Sequence, residues 1–179
     1  RLAYDVCVAN MLLNYLAGLD GKDYDRGGES AAKGHLNENL LNTLNQLDYY
    51  RVEGAKSTGR EWFEKNILTL FEAAGGSTPD LLATATEHIA AVIASELNKK
   101  QIQNVLVTGG GAFNSFLIER VQTKTKCNII LPPDEIINFK EALIFAFLGY
   151  LRVSGKTNAL ASVTGADGDS CGGAVYQYC

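Results

Sequence analysis

The stretch Gln103-Asn104-Val105-Leu106-Val107-Thr108-Gly109-Gly110-Gly111-Ala112-Phe113-Asn114 decides the fold class. Val105, Leu106 and Val107 make a short, β-rich apolar run; three glycines follow, and residues 114–123 resume with an amphipathic helical period. Glycines after a buried strand let the backbone approach a ligand closely. The helix that follows presents free N–H groups and a partial positive charge. An anionic or nucleotide ligand fits such a place, and a tight structural turn is the alternative. The pattern is not a P-loop, and Asn114 stands where the dinucleotide fingerprint needs its last glycine.

Downstream, residues 127–131 repeat the strand signal, residues 134–153 restore a helix, and residues 172–178 read as a final strand after a glycine-rich loop. Upstream, helix follows helix. Met11, Leu12, Leu13, Leu16 and Leu19 share one face, ended by Gly18 and Gly21; a short helix over 29–33 stops at Gly34; Leu36, Leu40, Leu41, Leu44 and Leu47 outline the next. Residues 48–59 connect, with a short strand expected at 49–52. Trp62, Phe63, Ile67, Leu70 and Phe71 make 60–74 amphipathic, and Gly75-Gly76 closes it. Thr78 reads as an N-cap hydroxyl and Pro79 as the first residue of a long helix to about Lys99. Strands alternating with helices imply an α/β fold with a parallel or mixed sheet flanked by several helices. No internal repeat or second-domain linker interrupts residues 1–179, which read as a single domain.

The composition narrows the function. With 16 Lys+Arg against 20 Asp+Glu, formal net charge −4 and no basic run, nucleic acid and anionic membrane surfaces are not expected partners. The longest apolar run, residues 142–151, is about half of the roughly 20 residues a spanning helix needs. Cys7, Cys127, Cys171 and Cys179 form no C-x-x-C pair, and His35 and His88 are the only histidines. No metal ligands are therefore assigned, and reduced thiols in a cytoplasmic protein are expected. Asp5, Asn10 and Asn14 break up the apolar segment 2–19 too often for a signal peptide. That segment opens the chain at Arg1 with no polar lead-in, so residues upstream are expected to be missing and an apolar face is expected around 2–19.

Few side chains carry chemistry on local grounds. Lys56-Ser57-Thr58-Gly59-Arg60 resembles the tail of a Walker motif but lacks its glycines; Ser57 or Thr58 can instead cap the helix near Arg60, leaving Arg60 to pair with a carboxylate or phosphate. Asp5 precedes an apolar helix, where its carboxylate serves as a cap or as a base. Glu141 opens the apolar run 142–151 as a solvated first-turn residue or a ligand contact. His88 reads as a helix-face residue and His35 as a turn residue.

Taken in order, several segments resemble one family. They are Tyr4-Asp5 through Asn10; Asp23-Tyr24-Asp25-Arg26-Gly27-Gly28; Lys56-Ser57-Thr58-Gly59-Arg60-Glu61-Trp62-Phe63; Val107-Thr108-Gly109-Gly110-Gly111-Ala112-Phe113-Asn114; Glu141-Ala142 with Phe145-Ala146; and Val163-Thr164-Gly165-Ala166 before Gly172-Gly173. Together they resemble the anhydro-N-acetylmuramic acid kinases, sugar kinases of the actin/hexokinase/Hsp70-like superfamily, and specifically their C-terminal half. The family's N-terminal lobe, with its phosphate loop, has no counterpart in this sequence.

The resemblance implies an RNase H-like lobe of a two-lobe enzyme that closes over ATP and an amino sugar. It implies phosphorylation at O6 coupled to hydrolytic opening of a 1,6-anhydro ring in peptidoglycan recycling. It makes Asp5 the general base for the ring-opening water, Gly109, Gly110, Gly111 and Asn114 the adenosine-side wall, and Glu141 a residue near the sugar. Asn10, Ser57, Thr58 and Arg60 fall on the substrate side. Mg2+ would be held mainly by ATP and the missing lobe. The missing N-terminal lobe is the expected partner, a homodimer is left open, and the fragment alone is expected to be inactive. Familiar members carry D-x-G-x-G-N, whereas this chain has Asp5-Val6-Cys7-Val8-Ala9-Asn10, which restricts the backbone of a loop expected near phosphate. A non-catalytic nucleotide-binding or regulatory module, or another sugar or acyl kinase of the superfamily, is the alternative.

Overall fold

Helix α5 (Thr78–Lys99) is the axis around which the chain folds, and the computed structural model describes residues 1–176. Its start is one residue earlier than the sequence suggests: Ser77 is the N-cap, its hydroxyl accepting from the Asp80 amide, and Pro79 follows Thr78 inside the first turn. Helices α1 (Asn10–Gly18), α2 (Glu38–Asn45) and α6 (Ser115–Gln122) and the 3-10 turn Ala31–Lys33 pack on α5. Leu12, Leu16, Leu44, Ile67, Phe71, Leu82 and Ile89 form the centre of the core. Gly34 crosses the start of α5 so closely that a Cβ would lie 2.0 Å from the Pro79 carbonyl oxygen.

Residues 60–74 are helical throughout but not uniform. Helix α3 (Arg60–Phe63) passes through a π turn (Glu64–Leu68) into α4 (Thr69–Ala74). The strand expected at 49–52 is a 3-10 turn, Asp48–Arg51. Lys56 Nζ donates to the Tyr49 and Val52 carbonyls, which satisfies acceptors a strand would have offered to a neighbour.

Strand β1 (Asn104–Leu106) pairs in parallel with β2 (Asn128–Ile130), joined through α6 in the strand–helix–strand order. This two-stranded sheet is the only one among the described residues. The final strand expected over 172–178 does not form over 172–176, and the antiparallel bridge Ala159–Ser170 lies just before it; the rest of that segment and Cys179 lie outside the described residues. Helix α7 (Asp134–Val153) and helix α8 (Ala161–Thr164) complete the chain. Among the described residues no helix is long and apolar enough to cross a membrane. Cys7, Cys127 and Cys171 are free thiols.

The apolar face expected around 2–19 is bare only in part, and a larger one lies elsewhere. Over 2–19, Leu2, Met11, Tyr15 and Leu19 are exposed, but Val8, Leu12, Leu13, Leu16 and Ala17 are buried against α5 and its neighbours. The larger exposed apolar surface belongs to α7, where Phe139, Leu143, Ile144, Phe145, Phe147, Tyr150 and Val153 all face solvent.

Asp25, Thr84, Glu87 and His88 are paired inside the core, whereas the buried Thr86 hydroxyl has no partner among the described residues. Glu87 binds Arg120 (2.8 Å) and Lys124. Burial alone would raise its carboxyl, but hydrogen bonds from the two cations outweigh that and hold it below the usual range. His88 is a helix-face residue on the buried side of α5. It is 1% exposed, with Nδ1 2.7 Å from Asn45 Oδ1 and Nε2 3.0 Å from the Tyr50 hydroxyl, and burial pushes its imidazole down to about 4.

Candidate functional site

The glycine loop, the N-terminus of α1 and the 3-10 turn Arg26–Gly28 enclose a cavity of about 710 Å3. This lies within the range of small-molecule sites. Asn10 opens α1 with its amide against the loop: a Cβ on Gly110 would sit 3.3 Å from Asn10 Nδ2, and one on Gly111 3.5 Å from Asn10 Oδ1. Gly110, Asn10 and Asn114 thus line one cavity. Gly109 has φ +79 and open space around it.

Asn114 serves two purposes. Its Oδ1 accepts from the Leu117 amide at 3.0 Å and so caps α6, while its Nδ2 donates to nothing among the described residues and remains available in the cavity wall. The turn that faces it is fixed just as tightly. Ser115 Oγ donates to the Gly27 carbonyl at 3.0 Å, and a Cβ on Gly28 (φ +79) would fall 2.5 Å from Asn114 Oδ1 and 2.6 Å from Phe116 Cβ. Only glycine fits there. Asp25 is buried and accepts from the Ser30 and Ala31 amides, each at 2.9 Å, with separate carboxylate oxygens. Next to it, Arg26 lines the cavity, exposed and paired with no carboxylate among the described residues. The sequence pattern assigned no role to Asp25, Arg26 or Gly27; a basic residue in a glycine turn was the available signal.

Asp5 lies on the segment that leads into α1 and is gripped by residues about fifty positions away. Its amide donates to the Lys56 carbonyl (2.9 Å) and its carbonyl accepts from the Tyr49 hydroxyl (2.6 Å). Asp5 Oδ2 accepts from the Thr58 amide (2.8 Å), Ser57 Oγ (3.1 Å) and Thr58 Oγ1 (3.5 Å). Both local capping alternatives fail. The N-cap of α1 is Ala9, that of α3 is Gly59, and neither end has a side-chain cap. Ser57 and Thr58 donate to Asp5 instead. Burial first, and the neighbouring Asp5 charge second, push the Tyr49 phenol up to about 12, so it stays a donor. Cys7, on the same segment, is raised to about 12 by burial and stays a thiol.

Two expected residues stand apart from these groups. Arg60 is exposed and bound to Glu64 at 2.7 Å within its own helix, a contact that raises its guanidinium further above its ordinary value. Glu141 is exposed on α7 with no hydrogen bond or ion pair among the described residues. No cluster of three or more His, Cys, Asp or Glu side chains able to hold a metal exists among the described residues.

Residues 1–178 match the sequence profile of a family described as anhydro-N-acetylmuramic acid kinase. Curated relatives named anhydro-N-acetylmuramic acid kinase include those of Sulfurimonas denitrificans, 33% identical over 97% of this chain and 51% of its own, and Variovorax paradoxus, 35% identical over 98% and 49%. That of Hydrogenovibrio crunogenus is 33% identical over 98% and 50%. The chain thus spans about half the length of the curated relatives it matches. The narrower expectation of a C-terminal half is corrected to the coarser statement that the chain matches about half of each relative.

Proposed function

The chain belongs to the anhydro-N-acetylmuramic acid kinase family, and on that premise we propose that it supplies the water-activating and adenosine-side parts of an ATP-dependent kinase acting on 1,6-anhydro-N-acetylmuramic acid. Its α/β arrangement is read as part of an RNase H-like, actin/hexokinase-type lobe. The observation that carries the reading is the pairing of two preset features on one short segment. Asp5 is anchored by residues 49–58, and Asn10, five positions on, is set against a glycine loop that walls a nucleotide-sized cavity.

In this reading Gly110 and Asn114 bound the adenosine side, and Arg26 offers the cavity a positive charge for phosphate. Asp5 takes the proton of the water that adds at C1, the C1–O6 bond breaks, and O6 receives the γ-phosphoryl group as ADP leaves. Magnesium belongs with the nucleotide phosphates. The described residues hold no metal cluster, so no residue of this chain is assigned to it. Glu141 and Arg60 are assigned to the substrate side only as the sequence resemblance implies.

The test is ATP-dependent formation of the sugar 6-phosphate by the complete gene product containing these residues, beside its Asp5→Asn variant. Loss of a general base lowers turnover by about 10²-fold or more. A folded gene product that binds ATP but forms no phosphate on any of a panel of amino sugars would identify a non-catalytic nucleotide-binding module. The residues Val6, Cys7, Val8 and Ala9, in place of a glycine-bearing loop, are what favours that second reading.

A further inference from the structure

We infer that the 49–58 segment is a positioning device for Asp5, holding the carboxylate by Oδ2 and the main chain so that Oδ1 is the oxygen presented to the reacting water. The inference rests on the kinase reading above and assigns roles within it that the family pattern does not.

The geometry is one-sided. The three side-chain contacts of Asp5 converge on Oδ2, and Oδ1 has no partner among the described residues although Asp5 is exposed. Asp25, a buried structural clip, by contrast uses both oxygens, one for Ser30 and one for Ala31. A freely solvated carboxylate has no need of a backbone held at both its amide and its carbonyl by residues from a distant loop. An oxygen that already accepts three donors has spent its lone pairs, so the proton of an attacking water goes to the other. Residue 5 is thereby fixed in place and in rotation before substrate arrives, which is the requirement for a base acting through one short hydrogen bond.

Tyr49 is itself held from three sides. Its ring lies 4.8 Å from that of Trp62, Lys56 Nζ sits 4.7 Å from its centroid, and Tyr50 stacks edge-on at 5.5 Å and in turn bonds the buried His88. The hydroxyl that grips the Asp5 carbonyl is thus tied to the core through aromatic contacts. Tyr49 and Ser57 are positioning residues; neither is required to touch substrate.

The test uses the complete gene product and five variants, with kcat and KM measured for both substrates. Tyr49→Phe keeps the ring and its neighbours and removes only the hydroxyl; kcat falls about 10-fold, a fraction of what a displacement of 1 Å costs, with both KM values within about twofold of the parent on the same ground. Ser57→Ala lowers kcat in the same way and Ser57→Thr, which restores the hydroxyl, recovers it. In an Asp5→Asn background Tyr49→Phe has no further effect, because it acts only through that carboxylate. Equal losses from Tyr49→Phe with and without the Asp5 carboxylate, or an unchanged kcat in both single variants, overturn the inference and leave the kinase reading intact. Absence of turnover in the folded parent overturns both.

Discussion

Helices α5 and α7 are nearly equal in length, 22 and 20 residues, and opposite in surroundings. Every residue of α5 over 81–90 is buried, polar ones included, so Thr84, Glu87 and His88 must find partners inside the protein. In α7 only Ile137 is buried, while Phe145 is 70% and Phe139 67% exposed. Apolar side chains state a helix's demand for cover; whether it is met depends on what the chain packs against it. The contrast also separates two uses of polarity. In α5 the polar groups are sequestered and, the Thr86 hydroxyl apart, matched, whereas in α7 the apolar groups are the ones left unmatched.

The comparison breaks if the two helices respond alike to truncation. Ile89→Ala, at 0% exposure in the centre of α5, is expected to cost about 3 kcal/mol in urea unfolding. A loss under about 1 kcal/mol would mean that the site collapses around the cavity. His88 sharpens the comparison through pH. Its folded imidazole titrates at about 4, below the ordinary value of about 6.5 in the unfolded chain. Its contribution is therefore complete above about pH 6.5 and is lost as pH falls toward 4, amounting to about 2 kcal/mol between pH 7 and pH 5. Unfolding curves at the two pH values, with His88→Gln as reference, read this directly; an equal acid loss in the variant would place the effect elsewhere. The smallest change belongs to α7. Phe145→Ser is expected to shift stability by no more than about 0.5 kcal/mol, and a loss matching that of Ile89→Ala would show that the α7 face is covered in solution.

Much of the fold is legible because its signals are local. The apolar period fixes α1, α5 and α7 to within about a residue and α2 to within about two, and Val105-Leu106-Val107 followed by three glycines gives β1 and its loop. Tyr49-Tyr50-Arg51-Val52 misleads for a physical reason: aromatic and β-branched residues favour a strand, but here the rings answer to tertiary partners, Trp62, His88 and the Asp5 carbonyl. The candidate site divides in the same way. Gly110 and Asn114, expected on one side, share a cavity with Asn10, which the sequence reading put on the substrate side, while Gly109 and Gly111 do not line it. Asp5 meets Ser57 and Thr58 over a separation of more than fifty residues, through contacts that no spacing rule encodes. The grip of Tyr49 on the main chain of Asp5 has no signature in sequence at all. Asn114 shows a further limit, since a single amide both caps α6 and lines the cavity, and a one-role reading captures half of it.

The π turn at Glu64–Leu68 has a consequence for phase. Phe63, Ile67 and Phe71 are buried at intervals of four residues, while an α-helical turn takes about 3.6. In an unbroken α-helix this row would drift around the axis by about 80° from Phe63 to Phe71. The wider turn absorbs the surplus, keeping the row in line with the core. The segment therefore contains one residue more than a plain helix would hold, and that residue works as a phase adjustment. Deleting it would straighten the hydrogen bonding yet swing Trp62 by about 100° relative to Phe71, and Trp62 is the ring against which Tyr49 rests. The angular setting of the Asp5 carboxylate is thus written, in part, as a count of residues in a helix that never touches it.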